Sequence, residues 1–215
     1  MNKETPKPYL QLGDATILEH TIRRFLSLDG LRQVIVSTSA EYLARAEEIL
    51  TSFMPEGIIR LCIEGGETRQ YSISNALEKV GDVDLVLVHD AVRPFVEAEH
   101  IKSCCQAALE VGGAVLGVPA KDTIKRIDED RFILDTPSRK LLWQTQTPQV
   151  FRKELIIDAY AKAREDNFVG TDDSSLVERL GRQVKMVKGD RSNVKITYPL
   201  DLTLAEILIS NRQRK

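Results

Sequence analysis

The sequence predicts a layered α/β domain on a largely parallel sheet. Strand-like and helix-like segments alternate along the whole chain, and one buried strand, 84–89, stops abruptly at Asp90. With 215 residues the chain is expected to form a single domain, 1–215, with a sizeable core.

The elements follow in order. Thr16-x-x-Glu19 is a capping box, and Ile17, Leu18, Ile22, Phe25 and Leu26 give the next helix an apolar face. The β-branched run 33–39 predicts a buried strand, with Ser39 as cap of a helix that turns Leu43, Ala46, Ile49, Leu50 and Phe53 inward. A strand at 58–63 leads through Gly65-Gly66-Glu67 to Thr68, the cap of a helix carrying Ile73, Ala76, Leu77 and Val80 on its inner face. After the strand that ends at Asp90 come a helix at 97–111 and a strand at 114–118. Segment 122–142 breaks the rhythm. Its short β-like pieces, 123–127 and 131–134, flank an acidic turn at 128–130 and predict a hairpin arm, about 121–143, too polar to have a core of its own. Helices are expected at 152–164 and 172–180, strands at 184–188 and 194–197, and a last helix from Pro199 to about Ser210. A parallel α/β sheet normally opens with a buried strand and a glycine-rich turn, yet here the first helix is reached with no strand before it.

Composition excludes several classes. Apolar residues at 42% and charged residues at 29% describe a globular chain. A net charge of −2 supplies no long-range attraction to nucleic acid or anionic membrane, so local groups must hold any anionic substrate. Cys62, Cys104 and Cys105 include no CxxC pair, which fits neither a disulfide framework nor a thiolate zinc site. No apolar run is long enough to span a bilayer, and the polar, proline-rich start is no signal peptide. A cytoplasmic protein is the expectation.

Asp90 is the strongest local signal, because ligands of open α/β sheets bind beyond the carboxyl ends of the strands. A carboxylate there can hold Mg²⁺ or accept hydrogen bonds from hydroxyls; its structural alternative is to cap the turn and pair with Arg93. Lys7, between Pro6 and Pro8, is a stiffly presented ammonium suited to phosphate charge, or a solvated lysine in a proline turn. Gly65-Gly66 allows close backbone approach, with Ser72 one turn into the following helix. Arg139 is a candidate phosphate fork on the arm. Lys195, inside a short apolar strand, suits a polar cleft. Trp143 is read as packing. Thr171-Asp172-Asp173 is read as a helix cap with acids favourable to the dipole. No Ser/His/Asp or HExxH pattern occurs.

These motifs together resemble the 2-C-methyl-D-erythritol 4-phosphate cytidylyltransferase family. They are Pro6-Lys7-Pro8-Tyr9-Leu10, Gly65-Gly66-Glu67-Thr68-Arg69 with Ser72, the run from Val88 to Pro94, Asp122-Thr123-Ile124-Lys125, Thr145-Gln146-Thr147-Pro148-Gln149, and the run from Asn193 to Leu202. The resemblance implies a Rossmann-like, GT-A-like nucleotidyltransferase: a three-layer sandwich with a protruding β-hairpin dimerisation arm. It implies a homodimer that uses CTP and Mg²⁺ to convert methylerythritol 4-phosphate to its CDP derivative and pyrophosphate, in the non-mevalonate isoprenoid route. By the same resemblance Lys7 stabilises the transition state, and Arg139 and Lys195 orient the substrate phosphate. Gly66, Glu67 and Ser72 contact cytosine, and Asp90 lies near metal and substrate. Ala91, Arg93, Thr123 and Thr147 complete the binding set, with Thr123 and Arg139 serving the partner's site across the arm.

The chain departs from the family pattern at its start. The family opens with a strand and a glycine-rich loop just before the Pro-Lys segment, and Met1 resembles the methionine that closes that loop. The expectation is that the natural protein is longer, and that a chain truly starting at Met1 turns over negligibly. Two alternatives stay open: a ribitol 5-phosphate cytidylyltransferase, and an inactive nucleotide-binding homologue.

Overall fold

The computed structural model describes residues 5–213; Met1, read above as the end of a glycine-rich motif, lies outside them. Pro6 and Pro8 fix a 3-10 turn at Lys7–Tyr9. A ribbon with no clear signal in the sequence follows: β1 (Gln11–Leu12) pairs antiparallel with β2 (Ala15–Thr16), turning at Gly13 with φ 66°. Thr16 then caps α1 (Ile17–Arg23) by accepting the Glu19 N–H at 3.2 Å. The Glu19 carboxylate turns to Arg23 at 2.6 Å.

Next come β3 (Gln33–Thr38), α2 (Leu43–Phe53), β4 (Ile59–Glu64), α3 (Arg69–Leu77) and β5 (Leu85–Val88). Ser39 caps no helix with its side chain, because a 3-10 turn, Ala40–Tyr42, intervenes before α2. Thr68 does cap α3, accepting the Tyr71 N–H at 3.3 Å. The chain continues through α4 (Ala98–Val111), β6 (Gly113–Pro119), β7 (Arg126–Ile127), β8 (Ile133–Asp135), β9 (Trp143–Arg152), α5 (Lys153–Glu165), α6 (Asp173–Arg179), β10 (Lys185–Lys188) and α7 (Pro199–Gln213).

The sheet corrects two expectations. Its larger part runs β10-β6-β9-β5, and β9 lies antiparallel to both neighbours, so the sheet is mixed rather than largely parallel. In sequence β9 reads as the exit of the arm. It is the longest strand described, and Gln146, Thr147 and Gln149 are buried in it because their polar groups are hydrogen-bonded. The predicted strand at 194–197 does not form. That segment is tied to the body by a backbone bond, Ile196 N–H to Val92 O at 3.0 Å, and by the side chain of Ile196, buried with Leu12, Ile17 and Phe95. β3 and β4 form a separate parallel pair.

Alternate residues of the sheet face opposite layers. Leu116 and Val150 pack on Ile101 and Cys104 of α4, whereas Val115 and Phe151 pack on Ile156 and Ala159 of α5 with Leu176 of α6. The result is helix, sheet, helix. The arm forms as a hairpin, β7 against β8, with Asp128 accepting the Phe132 N–H at 2.8 Å in its turn. Among the described residues no helix is long and apolar enough to cross a membrane.

Candidate active site

The abrupt end of β5 delivers Asp90 to the carboxyl edge of the sheet. Its N–H donates to Thr147 Oγ1 at 3.0 Å, which ties the strand end to β9. Three cations converge on its carboxylate: Arg69 Nε lies 3.3 Å from Oδ1, while Arg93 Nε at 3.2 Å and Lys195 Nζ at 3.1 Å share Oδ2. Burial would raise the Asp90 carboxyl, but Lys195, Arg69 and Arg93 together hold it below the ordinary carboxylate range. Asp90 does pair with Arg93, as the structural alternative requires, but it pairs equally with Lys195 and Arg69.

Each cation has its own support. Arg93 Nη1 donates to Asn193 O at 2.8 Å, and the buried Asn193 amide donates to Thr147 O at 3.0 Å and Gln146 Oε1 at 3.2 Å. Arg69 lays a fork on Asp173, Nη1 to Oδ1 at 3.3 Å and Nη2 to Oδ2 at 2.9 Å, and Tyr160 donates to the same Oδ1 at 2.5 Å. Burial lowers the Arg69 guanidinium, and Asp173 and Asp90 more than reverse this, leaving it above its usual value. Burial, then Asp173, pushes the Tyr160 hydroxyl well up, so it remains a donor. The sequence reading makes Asp173 a helix-dipole acid and Thr171 the cap. In fact Asp172 is the cap, accepting the Ser175 N–H, and Asp173 is wholly buried as the anchor of Arg69.

Beside this cluster lies a cleft of about 530 Å³ lined by Arg93, Gln144, Gln146, Arg191, Asn193 and Lys195. Its size suits a small ligand, and its three cations suit an anionic one. Lys7 sits near the rim: its charge helps the backbone amides of Tyr198 and Thr197 to lower Asp201, a lining residue. Gly66 follows β4, and its N–H donates to Ser72 Oγ at 3.0 Å. A Cβ at Gly66 would lie 2.3 Å from Tyr71 Cβ, so only glycine fits this turn. Glu67 is exposed beside it. Ala91 fixes the other flank, its carbonyl accepting the Thr21 hydroxyl at 3.1 Å.

Two predicted residues are not gathered here. Thr123 and Arg139 are exposed on the arm segment, and Arg139 Nη1 donates to Lys121 O at 2.9 Å. Arg191, Asn193, Asp173 and Tyr160 escape or are undervalued by sequence reasoning. Only the clustering of Arg191 and Asn193 beside Lys195 in sequence could have signalled the first two.

A helix–sheet–helix scaffold with a cation-ringed carboxylate beyond the strand ends is a Rossmann-like architecture, that of the nucleotidyltransferases with which the chain superposes. The family model described as 2-C-methyl-D-erythritol 4-phosphate cytidylyltransferase matches residues 1–211, and the chain belongs to that family. A relative of that name from Caldanaerobacter subterraneus subsp. tengcongensis is 46% identical over 211 residues, covering 97% of this chain and 92% of the relative. One from Geobacillus kaustophilus is 37% identical, covering 99% and 92%. Among solved structures, the 4-diphosphocytidyl-2C-methyl-D-erythritol synthase of Anaerococcus prevotii superposes with a TM-score of 0.88 at 32% identity, covering 95% of this chain and 90% of that one. The 2-C-methyl-D-erythritol 4-phosphate cytidylyltransferase of Thermus thermophilus gives 0.79 at 35% identity, covering 95% and 94%.

Proposed function

We propose that the protein transfers CMP from CTP to 2-C-methyl-D-erythritol 4-phosphate, giving the CDP derivative and pyrophosphate, as a cytoplasmic enzyme of isoprenoid biosynthesis. The observation that carries the reading is the basic cleft beside Asp90 in a chain of this family. A substrate phosphate oxygen attacks the α-phosphorus of CTP. The new P–O bond forms as the bond to the β-phosphate bridge breaks, and pyrophosphate leaves with that electron pair. Little covalent work falls to the protein, so positioning and charge dominate. Lys195, Arg93 and Arg191 receive the substrate phosphate, and Asp90 holds the first two in place. Gly66, Glu67 and Ser72 form the turn that receives the cytosine, with Lys7 at the rim to meet charge that develops on the transferred phosphate.

Mg²⁺ enters this proposal with the nucleotide. Among the described residues no group of three or more His, Cys, Asp or Glu side chains could hold a metal, and three cations already engage Asp90. Asp90 would be the side chain to meet an ion carried by the triphosphate, since Mg²⁺ commonly keeps several waters and is bound through one or two carboxylates plus substrate phosphates. Bound there, it would neutralise phosphate charge.

The arm supports a homodimer formed by arm exchange. Phe132, Ile133 and Leu134 are 72%, 61% and 59% exposed on a hairpin with no core beneath it. Thr123 and Arg139 then serve the neighbouring site. Pyrophosphate release with CTP and either methylerythritol 4-phosphate or ribitol 5-phosphate tests the assignment. Faster turnover of the methylerythritol substrate is expected. Faster turnover of ribitol 5-phosphate would reassign the substrate, and CTP binding without turnover of either would make this a nucleotide-binding homologue.

A further inference from the structure

Lys195 lies on a segment without regular structure, 193–197, between the loop after β10 and the start of α7. An ammonium on a flexible four-carbon stem is placed no better than the backbone that carries it, so this segment has to be held. Upstream the hold is Asn193, whose buried amide donates to Thr147 O and Gln146 Oε1 of β9. In the middle Ile196 is wholly buried, with Val194 packed on the same cluster. Positions 194 and 196 thus turn into the core, and Lys195 between them turns the other way, to the cleft and Asp90.

Downstream the hold is Asp201. Its Oδ2 accepts the Thr197 N–H at 2.8 Å and the Tyr198 N–H at 2.7 Å. Asp201 belongs to the first turn of α7, which is a firm post. Ala205 is wholly buried with Leu12, Ile17 and Phe95, and Arg212 at the far end donates to Phe95 O at 3.2 Å and pairs with Glu97.

Capping of α7 accounts for only one of the two bonds. Pro199 is the first helical residue, so Tyr198 is the N-cap and Asp201 the third position, from which an acidic side chain reaches back to the N-cap amide. The bond to the Thr197 N–H is additional. That amide lies outside the helix, two residues from Lys195, and Thr197 and Asp201 line the basic cleft together with Lys195.

We propose that Asp201 is a positioning residue for Lys195: by tying the two amides after Ile196 to the start of α7, it fixes the height at which the Lys195 ammonium meets Asp90 and the substrate phosphate. What Lys195 does there rests on the reaction proposed above; where it is held does not.

The test compares Asp201→Ala and Asp201→Asn in the parent and in Lys195→Ala. Asp201→Ala should lower kcat/KM for methylerythritol 4-phosphate about ten-fold or more, with KM for CTP within about two-fold of the parent. In Lys195→Ala the same substitution should change kcat/KM by less than about two-fold, because the group it positions is gone. Asp201→Asn keeps an oxygen for both N–H groups and should recover most of the loss. Carbon-13 NMR of the Asp90 carboxyl supplies a readout free of turnover. Lys195 is foremost among the charges that hold this carboxyl down. It should therefore titrate higher in Asp201→Ala, at least half of the way to its position in Lys195→Ala. A loss of kcat/KM of equal size in both backgrounds would make Asp201 a helix cap and nothing more. A fall in Tm with unchanged kinetics, or an Asp90 titration left unmoved, would overturn the proposal equally. Should the parent turn over neither polyol phosphate, the reaction fails, and the Asp90 titration alone decides whether Asp201 holds Lys195.

Discussion

Arg69 and Asp173, 104 residues apart, meet as a two-pronged ion pair in which the carboxylate is wholly buried and the guanidinium is 42% exposed. The third nitrogen of the guanidinium reaches Asp90. Arg69 thereby couples the turn at Gly66, the end of β5 and the start of α6.

Removing Arg69 leaves a buried carboxylate without its cation. Arg69→Ala should destabilise by about 3 kcal/mol, with Arg69→Lys intermediate, since a lysine cannot form the fork. Urea unfolding of the three proteins measures this. A loss below about 1 kcal/mol would show that the pair is not needed to hold α6.

Lys195 should act on the substrate phosphate rather than on folding, because its side chain is 44% exposed. Lys195→Ala should lower kcat/KM by roughly 10²–10³, the range for loss of one group that stabilises transition-state charge. Steady-state kinetics with both substrates varied will check this. Unchanged kinetics would remove Lys195 from the site.

His89 sets a pH window. Burial holds its folded value down at about 4, against an ordinary 6.5. The unfolded chain therefore takes up a proton first as pH falls, and stability declines from pH 6.5 towards 4 by about 3 kcal/mol. Asp90 works lower. Its folded value is depressed, so its contribution is full above the ordinary 3.8 and fades as pH drops further. Urea midpoints for His89→Gln should be nearly flat from pH 6.5 to 4 where the parent declines; a parallel decline in both would place the titration elsewhere.

Gly66→Ala should raise KM for CTP about ten-fold or more while costing little stability, because the clash with Tyr71 displaces an exposed turn rather than core. Calorimetric CTP titration and thermal melts separate the two effects. Equal CTP affinity in the variant would detach this turn from nucleotide binding.

If the arm serves the neighbour's site, Arg139→Ala and Lys195→Ala should complement each other. Each variant alone is impaired, but equal parts exchanged into mixed dimers should recover about a quarter of parental activity, from the one intact site in each heterodimer. No recovery after subunit exchange would place both groups in the same chain's site.

Legibility followed locality. α1, α3 and the end of β5 are readable because caps, apolar period and an abrupt acid lie within a few residues of each other. β9 is not: Gln144, Thr145, Gln146, Thr147 and Gln149 give it the look of a loop, and only partners from distant segments make the burial of Gln146, Thr147 and Gln149 tolerable. Lys195 lines a cleft although its predicted strand is absent, because a cation with apolar neighbours turns to polar surroundings whatever its backbone does. The Arg69–Asp173 pair is out of reach, because no local pattern names a partner so far away in sequence.

The amide of Gln149 is 1% exposed, donates to Asp172 Oδ2 at 2.8 Å and accepts the Ser174 N–H at 2.9 Å. That pairing makes β9 a keyed strand. A slip of one residue would bring Val150 or Pro148 against the start of α6, where neither has a group for the cap carboxylate or the amide. Apolar neighbours would tolerate several alignments; this lock accepts one. Mis-threaded alignments are thereby penalised at the strand that joins β5 to β6, and the height at which Thr147 meets Asp90 is set by a glutamine two residues further along.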